Sequence, residues 1–289
     1  MSSGGTTVRR LVSEGARALP RRTGITDPVR EASWLLAAAL EVAESWLRVH
    51  ADAEVPHEIE RRFRSWIAER AAGAPAEHLV GACRFWGRDF TVSPQVLVPR
   101  PETELLVEVA LELPVPSRAR VLDVGTGSGC IAVTLAAERP RWRVLGVDRS
   151  PAALVVARAN AHAHRARVSW FVGWLAAAVG QRVDMVTANL PYLPTAWLTA
   201  LPVEVRREPA LALDGGRDGL SLVRRLVTDL DRLVSNGGWC LLELAEGQAD
   251  VIATEAARCG FAADRRLRDL GGCDRVLVLR RTGDVPMGC

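Results

Sequence analysis

From Arg120 onward the chain alternates short apolar runs with stretches of helical spacing, and this alternation restricts the fold more than any other feature. The runs Arg120 to Val124, Arg143 to Val147, Val168 to Val172, Val183 to Ala188, Trp239 to Leu244 and Arg275 to Leu279 have the length and composition of strands. Helical patterns lie between them over Ile131 to Glu138, Ala152 to His162, Leu220 to Val234 and Ala249 to Cys259. Strands joined through helices close as right-handed crossovers, so the expected core is a doubly wound α/β fold with a parallel sheet covered on both faces.

The first 75 or so residues read as helical instead. Asp27 followed by Pro28 is a cap and first-turn pair, and Val29, Ala32, Leu36, Leu40, Ala43 and Leu47 follow at helical spacing. Ile59, Phe63, Trp66 and Ile67 share a second helical face, which stops at Gly73-Ala74-Pro75. Between Phe85 and Arg100 short apolar and aromatic runs, with Pro94 and Pro99, predict an extended or hairpin connector. Helix resumes near Glu102. The expected organisation is a small helical domain over residues 1–80, a β-hairpin connector over 81–101 and an α/β domain over 102–289.

Composition removes several function classes. No apolar run approaches the roughly 18 residues needed to span a bilayer, and Met1 to Arg22 lack a signal-peptide pattern, so a cytoplasmic protein that needs no membrane is expected. The six cysteines form no C-x-x-C pair and the five histidines have no ligand spacing, which predicts reduced thiols and no metal. A net charge of +3 gives no nucleic-acid footprint, and all 37 basic residues are arginine, a bias that codon usage explains.

Two segments carry chemistry. Val121 to Val124 runs into Gly125-Thr126-Gly127-Ser128-Gly129 and then a helix, where glycines allow a tight turn and close approach to a ligand at the carboxyl edge of a sheet. Cys130 stands where a dinucleotide fingerprint has glycine, which turns the reading away from NAD. Asp148, ending the second strand, is placed to accept from both hydroxyls of a ribose, or alternatively to cap the next helix. Together these describe a nucleoside-containing cofactor.

The second segment is Asn189-Leu190-Pro191-Tyr192, after the fourth strand of the α/β domain. An amide nitrogen is a poor nucleophile because its lone pair is delocalised. Acceptors on its N–H groups orient it and raise its electron density; the Asn189 oxygen and the Leu190 carbonyl could supply them, with Tyr192 packed on the planar group. In isolation Asn-x-Pro-Tyr is equally an ordinary turn.

Further motifs occur in order: Gly73 to Gly81, Phe85-Trp86-Gly87, Val98-Pro99-Arg100-Pro101-Glu102-Thr103-Glu104, Glu204 to Pro209 and Gly216-Arg217-Asp218-Gly219-Leu220. With the glycine loop and Asn189 to Tyr192, the chain from about residue 25 to 281 resembles the bacterial peptide-chain release factor glutamine methyltransferases, the PrmC/HemK family. The resemblance implies a class I, Rossmann-like methyltransferase fold with S-adenosyl-L-methionine as cofactor. It implies methylation of the glutamine amide nitrogen in the Gly-Gly-Gln loop of a release factor, docked with help from the N-terminal helices, with nucleic acid not required. Gly125, Thr126, Gly127, Ser128, Gly129, Asp148, Trp174 and Asn189 would then bind cofactor, Trp174 beside the adenine. Asn189, Leu190, Pro191 and Tyr192 would hold the glutamine, and Pro99 to Glu104 would close over the cofactor.

The chain departs from the family pattern at Leu190, where proline is usual, at Gly173, where an acid usually precedes the tryptophan, and at Ala245, where glycine is preferred. Asn-Leu-Pro-Tyr is also what rRNA adenine dimethyltransferases carry. An RNA-base methylase, a paralogue acting on a small molecule and a non-enzymatic binding module are the alternatives.

Overall fold

The computed structural model describes residues 5–20, 25–177 and 179–283. Cys289 and the outermost ends of the expected domains lie outside them. The chain divides into two compact units, Met1–Ala82 with Ala200–Glu208, and Cys83–Thr199 with Pro209–Cys289. Residues 200–208 thus belong with the N-terminal unit, which a linear division of the sequence does not contain.

The first unit is helical: α1 (Val8–Ala18), α2 (Pro28–Leu40), α3 (Glu44–Val49), α4 (His57–Ala71) and α5 (Ala76–Val80). Asp27 caps α2, its carboxylate accepting from the Val29 and Arg30 N–H groups at 3.1 and 3.0 Å. Leu11, Leu35, Leu36, Phe63 and Ile67 meet in one core. Burying an aliphatic side chain of this size is worth about 1.5–3 kcal/mol.

The second unit opens with a hairpin, β1 (Ala82–Phe85) and β2 (Arg88–Thr91). Its two-residue turn puts Trp86 at φ 50° and Gly87 at φ 67°, the positive dihedrals that match strand twist in tight hairpins. After α6 (Glu104–Glu112) come β3 (Arg120–Val124), α7 (Cys130–Glu138), β4 (Arg143–Asp148), α8 (Pro151–Ala163), β5 (Val168–Val172) and β6 (Val183–Ala188). The short α9 (Val203–Arg206) lies in the first unit. The second unit then closes with α10 (Ser221–Leu233), β7 (Val234–Glu243), α11 (Ala249–Arg258), β8 (Phe261–Arg268) and β9 (Asp274–Arg281).

Among the described residues seven strands form one sheet in the order β5-β4-β3-β6-β7-β9-β8. Successive residues of β3 face opposite sides. Leu122 and Val124 join the core under α10 and α11, while Val121 joins the one under α6 and α7. The first five strands in that order are parallel, but β9 runs antiparallel to β7 and β8 antiparallel to β9. The expected all-parallel sheet is therefore corrected at one edge, where β8 is added. Its sequence, Phe261 to Arg268, is mostly alanine and charge, so it carries little strand signal; pairing with buried β9 makes it a strand.

Cys83, Cys130, Cys240 and Cys273 are not in disulfide bonds, whereas Cys259 is disulfide-bonded, against the expectation of reduced thiols throughout. No helix among the described residues is long and apolar enough to cross a membrane.

Candidate active site

The order of strands makes a crevice. From β3 the chain moves outward through β4 to β5, then returns to the other side of β3 with β6, and ligands bind outside such a switch point at the carboxyl ends. Val124 pairs with Ala188, so the glycine loop and Asn189 leave the sheet side by side.

The loop is held from below and behind. Buried Asp123 accepts from the hydroxyls of Thr126 at 2.6 Å and Thr187 at 2.9 Å. Burial pushes its pKa up to about 6, against those two hydrogen bonds. Val147 O takes the N–H groups of Gly125 and Thr126 at 2.9 and 3.0 Å. Buried Asn160 binds Ser128 O with its Nδ2 and also pairs with both backbone groups of Thr91, fastening loop and hairpin together. Gly127 sits at φ 55°, a left-handed conformation that glycine adopts without strain, and a Cβ there would meet nothing nearer than Gly125 O at 4.0 Å.

Asp148 spans the loop and the next helix, its two oxygens accepting from Gly127 N at 2.9 Å and Ser150 N at 2.8 Å. Ser150, not Asp148, caps α8, so the capping alternative falls away. The Arg149 guanidinium lies 5.0 Å from the centre of the half-exposed Trp174 ring.

A cavity of about 200 Å³ opens here, lined among others by Gly125, Thr126, Gly127, Ser128, Asp148, Trp174, Asn189, Leu190 and Pro191. Two of the expected residues do not line it. Gly129 is the cap residue before α7, at φ 80°, where a Cβ would press on Ala157 and Trp170 at 3.1 Å. Tyr192 turns its hydroxyl toward Glu243, 3.4 Å away. Pro94 to Arg100 and Thr103 form part of the wall. Glu104 is structural, accepting from Trp86 N in the hairpin at 2.7 Å.

Leu190 is buried, and a Cβ on Gly125 would come within 2.8 Å of its Cδ2. Its side chain fills core beside the glycine loop, which leaves the backbone as the part of Leu190 able to meet a ligand.

The Asn189–Tyr192 turn is clamped by residues whose part in holding it the sequence did not show. Asn189 Nδ2 donates to Thr103 Oγ1 at 3.1 Å, and that hydroxyl donates to Glu243 Oε2 at 2.7 Å. Gln248 Nε2 donates to Tyr192 O at 2.9 Å, while its Oε1 takes Ala245 N at 2.9 Å. Gly219, at φ 79°, lies so close that a Cβ would stand 2.1 Å from Tyr192 O. The Gly216 to Leu220 motif is thus a backing plate for the turn. Glu243 had a sequence signal, a lone acid in the apolar run Trp239 to Leu244.

The donor set fits an adenosine-bearing ligand. A glycine loop, a carboxylate with lone pairs to spare and an aromatic face line the same cavity. The sheet order and this cleft define a class I S-adenosylmethionine-dependent methyltransferase. Solved structures agree at the level of fold. A methyltransferase from Pyrococcus furiosus superimposes with a TM-score of 0.53 at 16% identity, over 78% of this chain and 98% of that one. A ribosomal protein L11 methylase from Lactobacillus delbrueckii subsp. bulgaricus gives 0.51 at 20% identity, over 66% and 84%.

Family profiles narrow the class: the PrmC N-terminal domain matches residues 11–81 and the methyltransferase small domain residues 101–197. The release factor glutamine methyltransferase of Geobacter sulfurreducens is 42% identical over 270 residues, covering 93% of this chain and 95% of its own. That of Moorella thermoacetica is 40% identical over 280 residues, covering 95% and 99%. The chain belongs to the release factor glutamine methyltransferase family.

Proposed function

We propose that this chain transfers the methyl group of S-adenosyl-L-methionine to the side-chain amide nitrogen of a glutamine in a peptide chain release factor, within its Gly-Gly-Gln loop, in the cytoplasm. The observation that carries the reading is the meeting of Gly125–Ser128 and Asn189–Pro191 around one cavity. Relatives named release factor glutamine methyltransferases, similar along nearly their whole length, support the acceptor.

The cofactor would supply an electrophilic methyl on a sulfonium, and the chain's residues do the rest by positioning. Asp148, with two of its roughly four lone-pair sites used on backbone, has two left for a ribose diol. Gly127 and Ser128 line the path along the loop, and Trp174 offers a flat face for the adenine. Asn189 Oδ1 and the Leu190 carbonyl accept from the acceptor N–H groups, which aligns the nitrogen and raises its electron density, and the methylated nitrogen gives up one of its protons to solvent. Tyr192, anchored at its hydroxyl, braces the turn that carries them. The N-terminal helical domain, residues 1–80, serves in this reading to dock the factor.

The test is incubation with labelled S-adenosyl-L-methionine and, separately, a release factor and RNA. Label on the Gly-Gly-Gln glutamine is expected, and lost almost entirely in Asn189→Ala while cofactor binding persists. Label in RNA alone, or wild-type turnover by Asn189→Ala, would sink the proposal.

A further inference from the structure

We infer that Thr103 and Glu243 are positioning residues whose hydrogen bonds decide which end of the Asn189 carboxamide meets the acceptor. The inference rests on the reading that Asn189 receives an acceptor N–H, and it adds what makes that possible.

An ionised carboxylate only accepts hydrogen bonds, and a threonine hydroxyl has a single proton. Glu243, at the carboxyl end of β7 and 1% exposed, takes that proton from Thr103 Oγ1 at 2.7 Å. Thr103 Oγ1 then has only lone pairs for Asn189, so the amide must turn its NH2 group to Thr103, 3.1 Å away. Oδ1 becomes the end that the amide can offer a ligand. The reversed amide would set two acceptors against each other at Thr103 and present N–H to N–H at the acceptor. Tyr192 O–H donates to the other oxygen of Glu243 at 3.4 Å, so both ends of the Asn189–Tyr192 turn hang from one buried acid.

The relay has a condition. Glu243 faces Thr103 and Glu102 from the turn before α6, Tyr192 from the loop after β6, and Arg275 from β9. Burial pushes its pKa up to about 7; the Thr103 hydrogen bond and the Arg275 charge oppose this, and Glu102 adds to it. Once protonated, Glu243 can donate to Thr103. The threonine proton is then released toward Asn189, and the reversed amide becomes tolerable.

The test uses the full chain and a release factor as acceptor. Thr103→Val is expected to lower kcat by roughly 10–100-fold, while KM for the factor and calorimetric affinity for the cofactor move by less than about threefold. Thr103→Ser, which keeps the hydroxyl, should restore most of the rate. The wild-type rate should fall as pH drops below about 7, and Glu243→Gln should remove that limb.

A readout independent of turnover is available because Tyr192 is the only tyrosine. Its single carbon-labelled phenol resonance should titrate near pH 7 in wild type and not in Glu243→Gln. Equal losses in Thr103→Val and Thr103→Ser, an unimpaired Thr103→Val, or a resonance indifferent to Glu243 would each overturn the relay. Absence of label in the factor with wild-type protein would instead overturn the proposed function, and the tyrosine titration would still decide the relay.

Discussion

Asp148 and Gly173 stand a hydrogen bond apart, the Gly173 N–H donating to Asp148 O at 3.0 Å, and both line the cavity at the carboxyl edge of the sheet. Asp148 was legible in the sequence because its place, at the end of the strand after a glycine loop, is set by local spacing. Gly173 was legible as a departure from a family pattern. Its φ is not in the left-handed region, so an aspartate is compatible with the backbone there. Gly173→Asp is expected to add one acceptor for an adenine amino group and to tighten cofactor binding by about 5–10-fold, the worth of roughly 1 kcal/mol. Calorimetry checks this, and an unchanged Kd would mean that the adenine is held elsewhere. Thr103 was legible only as a member of the Pro99 to Glu104 segment and Glu243 only as a lone acid in an apolar run, since each acts on the turn through a partner 86 or 140 positions away.

Segment 200–208 shows the same limit for whole elements. Its sequence, Glu204 to Pro209, was visible as a motif but not as part of the helical unit. Arg70 of α4, 7% exposed at its side chain, is what ties it there, pairing with Glu31 of α2 at 2.6 Å and Glu204 of α9 at 2.7 Å. Gly73, at φ 99°, permits the approach, because a Cβ would fall 2.2 Å from Val203 Cγ1. Removing the cation leaves two carboxylates, each about three-quarters buried, without their partner. Arg70→Ala is expected to cost about 2–3 kcal/mol in denaturant unfolding and to speed amide exchange over 200–208. A loss below about 0.5 kcal/mol, the size of a surface change, would show that the segment is held by other contacts. Strand β8 was missed for a related reason: an edge strand in which only Phe261 is buried needs little apolar sequence.

Over the whole molecule, buried acids set how stability responds to pH. Asp123 and Glu243 have folded pKa values of about 6 and 7, above the ordinary carboxylate range, so between about pH 4.5 and 7 the native state holds more protons than the unfolded chain. Their contribution therefore declines as pH rises through that window. Asp214 and Asp218 act in the opposite sense, held low mainly by hydrogen bonds from Thr195 and Arg224, and their contribution is lost as pH falls. Relative to wild type, Glu243→Gln is expected to gain on the order of 2–3 kcal/mol of unfolding free energy between pH 5 and pH 8. The same difference at both pH values would show that Glu243 takes up no extra proton in the native state. The sequence by itself determined the helical N-terminal part, most of the sheet and the two loops that meet at its carboxyl edge, because strand periodicity, caps and turn residues act over a few positions. Only the tertiary structure decided the antiparallel edge, the placement of 200–208 and the direction in which the Asn189 amide points. Those depend on groups that the chain brings together from far apart, and a hydrogen bond has a polarity only when both of its partners are known.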